Sequence, residues 1–138
     1  MPCAIRSTRN SPSAKIGDPD DGGIYAGLSA EDGKPLHTAC ADFPKYKTYD
    51  AALAAAEKLK ARHPTAHVPT LKELNQNLFN NRNIGRFKDT FNTSGSDPGS
   101  VYRSSELFNN SISRAVWFGD GYQGYYLSRQ RLPVRLVW

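Results

Sequence analysis

At 138 residues, with 38% hydrophobic and 22% charged side chains, the chain has the size and make-up of one folded domain, which excludes a wholly disordered protein. The net charge of +5 comes from scattered Lys and Arg rather than from a block, so a nucleic-acid-binding arm is not expected. No run reaches the ~20 apolar residues of a membrane span. Residues 1–23 lack the apolar stretch of a signal peptide, so synthesis in the cytoplasm is expected, compatible with later virion association or cell-surface display.

Residues 1–18 are rich in Ser, Pro and Asp without apolar periodicity, and read as an irregular arm ahead of a single domain over 19–138. Such an arm either stays disordered or docks onto a partner, whether a second copy or a virion neighbour. Gly23-Ile24-Tyr25-Ala26-Gly27-Leu28-Ser29 and Pro35-Leu36-His37-Thr38-Ala39 read as two strands around an Asp32-Gly33 turn, a hairpin signal. Cys3 and Cys40 are the only cysteines; they can form one disulfide, but their spacing does not demand it.

Residues 49–62 predict the clearest helix, capped by Thr48 or Asp50, with Ala52, Leu53, Ala56 and Leu59 as its apolar stripe. Ala66-His67-Val68-Pro69 reads as extended, because a residue before proline avoids the α region. Thr70-Leu71-Lys72-Glu73 is a capping box opening a second helix, with Leu71, Leu74, Leu78 and Phe79 at helical spacing. Residues 84–99 read as a loop anchored by Phe87 and Phe91. Helices in the middle and strands at both ends make an α+β fold, two helices packed on short antiparallel strands.

The last quarter, residues 102–138, holds more than half of the chain's aromatics and five arginines against two acids. Tyr, Trp and Arg dominate binding hot spots because they offer large contact area and versatile hydrogen bonding with few rotors to freeze. Trp117, Phe118, Val134, Leu136 and Trp138 sit among apolar neighbours and suit a core as well as a surface. Residues 122–131 show neither strand alternation of aliphatics nor helical period, which points to exposure and a ligand.

Catalytic patterns are missing. His37, His63 and His67 are the only histidines, and each reads as structural. Ser104-Ser105 has no nucleophile elbow, and Gly119-Asp120-Gly121 is a turn rather than a phosphate loop. Asp18, Asp20 and Asp21 lack the glutamate of a calcium loop. Neither enzymatic activity nor a cofactor or metal is expected.

Several motifs in order carry a resemblance. His67-Val68-Pro69-Thr70-Leu71-Lys72-Glu73-Leu74 resembles the R-x-P-T-x-x-E-L signature of bacterial and phage C-type-lectin-like domains. Tyr102-Arg103-Ser104-Ser105-Glu106 is similar to that family's Y-W-S-S-S/T-E, Phe118-Gly119-Asp120-Gly121 to its F-x-D-G, and Val134-Arg135-Leu136-Val137 to its closing V-R-x-V-R. The chain departs at Arg103, where the family usually has Trp, and at Trp138, where it has a basic residue. Arg114-Ala115-Val116-Trp117 fits the family's A-W-x-x-x-F only with a shift. The calcium-dependent sugar-binding motifs of lectins are absent, as is the redox cysteine pair of formylglycine-generating enzymes, whose fold the family shares.

This family includes the variable proteins of diversity-generating retroelements, in which reverse-transcriptase mutagenesis of adenines diversifies a C-terminal ligand face on a fixed scaffold. The resemblance therefore implies a C-type-lectin-like fold and a binding protein whose partner is a protein or cell-surface ligand, acting at a phage tip or on a cell. The positions it singles out are Phe108, Asn109, Asn110, Ser111, Ser113, Tyr122, Gln123, Tyr125, Tyr126, Leu127, Ser128, Arg129, Gln130 and Arg131. The alternative is a decoration or assembly subunit, or an inhibitor of a host complex, on the same scaffold.

Overall fold

The computed structural model describes residues 14–138. In chain order its elements are strands β1 (Pro19–Asp20), β2 (Gly23–Leu28) and β3 (Pro35–Thr38), helix α1 (Tyr49–Leu59), helix α2 (Glu73–Phe79), a 3₁₀ turn at Gly85–Phe87, and strands β4 (Val101–Asn109), β5 (Ile112–Trp117) and β6 (Gln123–Leu127). The first three strands form one antiparallel sheet and the last three another. Two helices and two small sheets make an α+β domain.

The first hairpin closes at its Asp-Gly turn, where the Ser29 N–H donates to the Lys34 carbonyl at 2.8 Å and the Gly33 N–H to Ser29 at 2.9 Å. Thr48 caps α1, accepting from the Ala51 N–H at 3.2 Å. The helix ends at Leu59 rather than at residue 62, and Leu53 faces water instead of joining the stripe. Ala52 and Ala56 are the buried positions, packed with Val68, Val134 and Leu136. Small side chains there let the helix lie close to the chain's last strand-like segment.

The capping box forms as the sequence predicts. The Glu73 N–H donates to Thr70 Oγ1 at 3.2 Å, and the Thr70 N–H to Glu73 Oε1 at 3.1 Å. The helix it opens is wound as a π-helix, with the Asn80 N–H reaching the Asn75 carbonyl at 3.1 Å. Leu71, Leu74 and Leu78 enter the main core with Ile24, Ala26, Phe87, Phe91, Tyr102 and Phe118. Buried Asn77 ties α2 to the first hairpin, donating to the carbonyls of Ala26 at 2.8 Å and Leu28 at 2.9 Å.

The domain begins before residue 19, which corrects the expected boundary. Ile16 packs against the core, the Gly17 N–H donates to Tyr25 at 2.9 Å, and the Arg86 N–H donates to Gly17 at 2.8 Å. Gly17 (φ +94°) and Gly85 (φ +54°) meet back to back, and a Cβ on Gly17 would lie 2.7 Å from the Ile84 carbonyl oxygen. That contact needs two glycines. The rest of the predicted arm, residues 1–13 with Cys3, lies outside the described residues; Cys40 is disulfide-bonded.

Residues 132–138 run between the two sheets and bind both. Val137 bridges Thr38 and His67, Leu132 bridges Lys47, and His37 and Trp138 exchange backbone bonds at 2.7 and 2.9 Å. Arg135, fully buried, donates to Asp42 Oδ1 at 2.9 Å and to the carbonyls of Ala39 and Thr90 at 3.1 and 2.6 Å. Burial pushes the Asp42 carboxyl up from its ordinary pKa, with Arg135 opposing. Among the described residues no helix is long and apolar enough to cross a membrane.

Candidate ligand-binding face

The second sheet is rooted at one end and projects at the other. Along β4, Val101 to Ser104 are buried, whereas Leu107, Phe108 and Asn109 are exposed. Period-two alternation then decides which side chains meet. Register pairs Arg114 with Tyr125 and Ser113 with Tyr126, and the Trp117 N–H donates to the Tyr122 carbonyl at 2.8 Å. Trp117, Tyr122 and Tyr126 therefore share one side of the sheet, while Arg114, Tyr125 and Phe108 share the other.

On the first side the Trp117 ring sits 5.3 Å from Tyr122 and 5.9 Å from Tyr126. Gly124 lies beneath them; a Cβ there would come within 2.6 Å of the Tyr122 ring and 2.9 Å of the Trp117 ring. Tyr126 donates its hydroxyl to Asp97 Oδ1 at 2.6 Å, a bond that raises the phenol's pKa. On the second side Phe108 meets Tyr125 edge-on at 5.0 Å, and the Arg114 guanidinium stands 4.9 Å from the Tyr125 ring centroid. Phe108, Tyr122 and Tyr125 are 63%, 60% and 52% exposed, far more than aromatics placed for packing. The contact residues expected on one surface thus flank both sides of a projecting strand pair.

Between the hairpin tips and the first turn of α1 lies a cleft of about 560 Å³. Asn110, Ser111, Leu127, Ser128 and Arg129 line one wall and Thr48, Tyr49 and Asp50 the other, with Leu107 near the tip of the β4–β5 hairpin. Backbone bonds set its width: the Tyr49 N–H donates to Ser128 at 2.9 Å and the Ser128 N–H to Ser111 at 2.8 Å. Tyr49 also donates its hydroxyl to the Ser105 carbonyl at 2.8 Å. Sequence reading missed Thr48, Tyr49 and Asp50, because nothing local places the start of α1 beside a hairpin sixty residues on; Leu107, apolar next to apolar Phe108 in a strand, was visible as a residue that would face the side opposite to it.

Ser113 is a correction. It is fully buried and accepts from Arg103 Nη1 at 2.6 Å, so it supports the face from within. Arg103 is itself fully buried with no carboxylate beside it. It donates to the carbonyls of Lys47 at 3.3 Å, Leu127 at 3.5 Å and Gln130, and burial pushes its pKa down to about 10. One side chain thereby fixes β5, the end of β6 and the following loop. Of the five arginines counted toward a binding surface, Arg103 and Arg135 belong to the interior. Arg129, Gln130 and Arg131 are exposed beyond β6, Gln123 is exposed at its start, and Asn109 caps the β4–β5 turn by accepting from the Ser111 N–H at 2.8 Å.

A second polar cluster lies away from this face. Glu73 accepts from Ser29 Oγ at 2.6 Å and from His67 Nε2 at 2.8 Å, while His67 Nδ1 donates to the Thr65 carbonyl at 2.7 Å. Both His67 partners are acceptors, so these bonds favour the doubly protonated ring. Burial disfavours that charge, but the bonds to Glu73 and Thr65 outweigh it and raise the His67 pKa; Glu73, also desolvated, is on balance lowered by its donors. The Glu73 oxygens are spent on the capping box and its neighbours, which is structural bonding. His37 bonds Asp20 at 2.9 Å in the interior, and His63 stacks on Trp138 at 4.0 Å. Among the described residues no group of three His, Cys, Asp or Glu is placed to hold a metal ion. No family model matches the chain, and no curated protein matches it.

Proposed function

We propose that the chain is a ligand- or receptor-binding protein that displays its projecting C-terminal strands and the adjoining cleft on a rigid C-type-lectin-like scaffold. The observation that carries this reading is the contrast within one sheet. Its rooted end is packed and braced by buried Arg103, while Phe108, Tyr122 and Tyr125 stand more than half exposed, with the Arg114 guanidinium against Tyr125. Exposed aromatics grouped with an arginine are the composition of binding hot spots. The positions that the resemblance to retroelement variable proteins singles out include these three aromatics, and buried Ser113 belongs to the supporting set.

The test is capture of a cell-surface or protein ligand by the full chain and by a Tyr122→Ala/Tyr125→Ala/Phe108→Ala triple variant. Retained cooperative melting with capture lost supports the reading; unchanged capture sinks it. Sequencing the locus for a near-copy of the codons of residues 102–138, mismatched only at adenines and beside a reverse transcriptase, tests whether the face is diversified.

A further inference from the structure

Strand β6 is the outer strand of its sheet, paired only with β5. In an antiparallel pair, residues that exchange hydrogen bonds with the neighbour alternate with residues whose N–H and C=O point away. The direct bonds at Trp117–Tyr122 and Ser111–Ser128 fix the phase, so Gln123 and Tyr125 turn their main-chain groups outward. No described residue meets those groups. The segment has none of the devices that blunt an edge: β6 carries no charge, proline or bulge, and its residues apart from Gly124 and Tyr126 are exposed.

Beside this edge, on the Tyr125 side, stands an unpaired cation. Arg114 Nε is buried without a hydrogen-bond partner, and none of the ion pairs of the described residues includes Arg114. A stacked guanidinium with idle donors is prepared for a carboxylate. Arg129 and Arg131, exposed just past the strand, add positive charge, which disfavours a second copy and favours an acidic partner.

Resting on the binding-protein reading above, we infer that the ligand docks as an extended acidic peptide segment added to the free edge of β6, its main chain paired with Gln123 and Tyr125 and a carboxylate side chain on Arg114. Affinity then comes from backbone pairing and selectivity from alternate side chains, two of which reach the Tyr125 side and the Tyr122 side of the sheet. The split of the aromatics over two sides, unhelpful to a flat contact, suits a strand that is gripped from both.

Linear random peptides displayed against the full chain provide the probe. Enriched peptides are expected to carry Asp or Glu between β-branched residues. N-methylation scanned along one such peptide should weaken binding about tenfold at every second amide and little between. Gln123→Pro removes one outward N–H without touching the β5 ladder, and should bind about tenfold more weakly than Gln123→Ala, which loses the same side chain but keeps the donor. Arg114→Glu should turn the preference toward Lys-containing peptides. Binders indifferent to N-methylation, yet lost in Tyr122→Ala or Tyr125→Ala, would overturn edge docking and leave the binding face intact. An empty selection, or a concentration-dependent dimer abolished by Gln123→Pro, overturns it as well, the latter by giving the edge to a second copy. Peptides without acids that survive Arg114→Glu would remove the carboxylate from the proposal.

Discussion

The two sheets have three strands each and contrast in what covers them. In the first, β2 buries residues of both parities because α2 packs on the side of Ile24 and Ala26 while the Trp138 ring and Ile16 lie against Gly23 and Gly27. In the second, β4 is buried only at its root, and β6 keeps a single buried residue, Gly124. Strand pairing alone therefore does not distinguish scaffold from surface; coverage does. Each region is braced by a fully buried arginine, Arg135 for the tail and first sheet, Arg103 for the second, and only Arg135 has a carboxylate beside it.

That difference between the arginines gives the largest expected effect. Arg135→Met removes the cation paired with Asp42 and leaves the partly buried carboxylate, among the described residues, only the Tyr102 hydroxyl as a donor, a loss of about 3–5 kcal/mol when a buried pair is broken from one side. Urea unfolding at neutral pH should show a loss of about that size. Asp42 already has its pKa raised by burial, so its protonated form is the one the fold prefers. A group whose folded pKa lies above its unfolded value favours the fold at low pH, so the deficit should shrink as pH falls toward the carboxylate range. Arg103→Met takes a donor only from neutral acceptors, the Gln130 carbonyl losing its donor while the Lys47 carbonyl keeps Leu132 and Ser113 Oγ keeps Tyr126, and about 2–3 kcal/mol is expected. Amide hydrogen exchange should then quicken at residues 127–132 before it does in the first sheet. Equal losses for the two variants, or exchange that quickens everywhere together, would break the comparison.

How much of this was legible follows from where each signal resides. The capping box at Thr70 and Glu73, the Asp32-Gly33 turn and the anchors Phe87 and Phe91 are local patterns, and all were readable. Leu53 misled because helical spacing names a stripe without saying how wide its partner is; alanines at 52 and 56 fill the narrow gap. The burial of Ser113 and Arg103 was hidden, since a charged residue between Tyr102 and Ser104 looks like surface until the carbonyls of distant Lys47 and Gln130 are seen to meet it. The cleft wall at Thr48, Tyr49 and Asp50 is likewise a product of tertiary packing.

The His67–Glu73 pair sharpens the contrast on a smaller scale, because it serves the scaffold and lies off the face. His67 has a raised pKa, so its contribution is full below the ordinary histidine value near ~6.5 and fades as pH rises through the folded value. Glu73 has a lowered pKa, so its contribution holds above the ordinary carboxylate range and fades as pH falls through the folded value. Thermal stability should decline on the alkaline side of about pH 6.5, and His67→Gln should flatten that decline. A wild-type melting curve with no such slope would show that the pair contributes nothing. His67 is over a third exposed, so solvent screening keeps the effect modest.

The smallest expected stability effect falls on the residues expected to matter most for binding. Tyr122→Ala and Phe108→Ala remove rings that are mostly in water, so each should change unfolding free energy by no more than about 0.5 kcal/mol. Phe118→Ala, in the same quarter of the chain but fully buried against Phe79, Phe91 and Tyr102, should lose about 3–5 kcal/mol. If Tyr122→Ala or Phe108→Ala instead approached the Phe118 value, the projecting aromatics would be packing residues and the face would lose its basis. If they stay near zero, large side chains stand in water with no structural return, and binding is what remains to account for them.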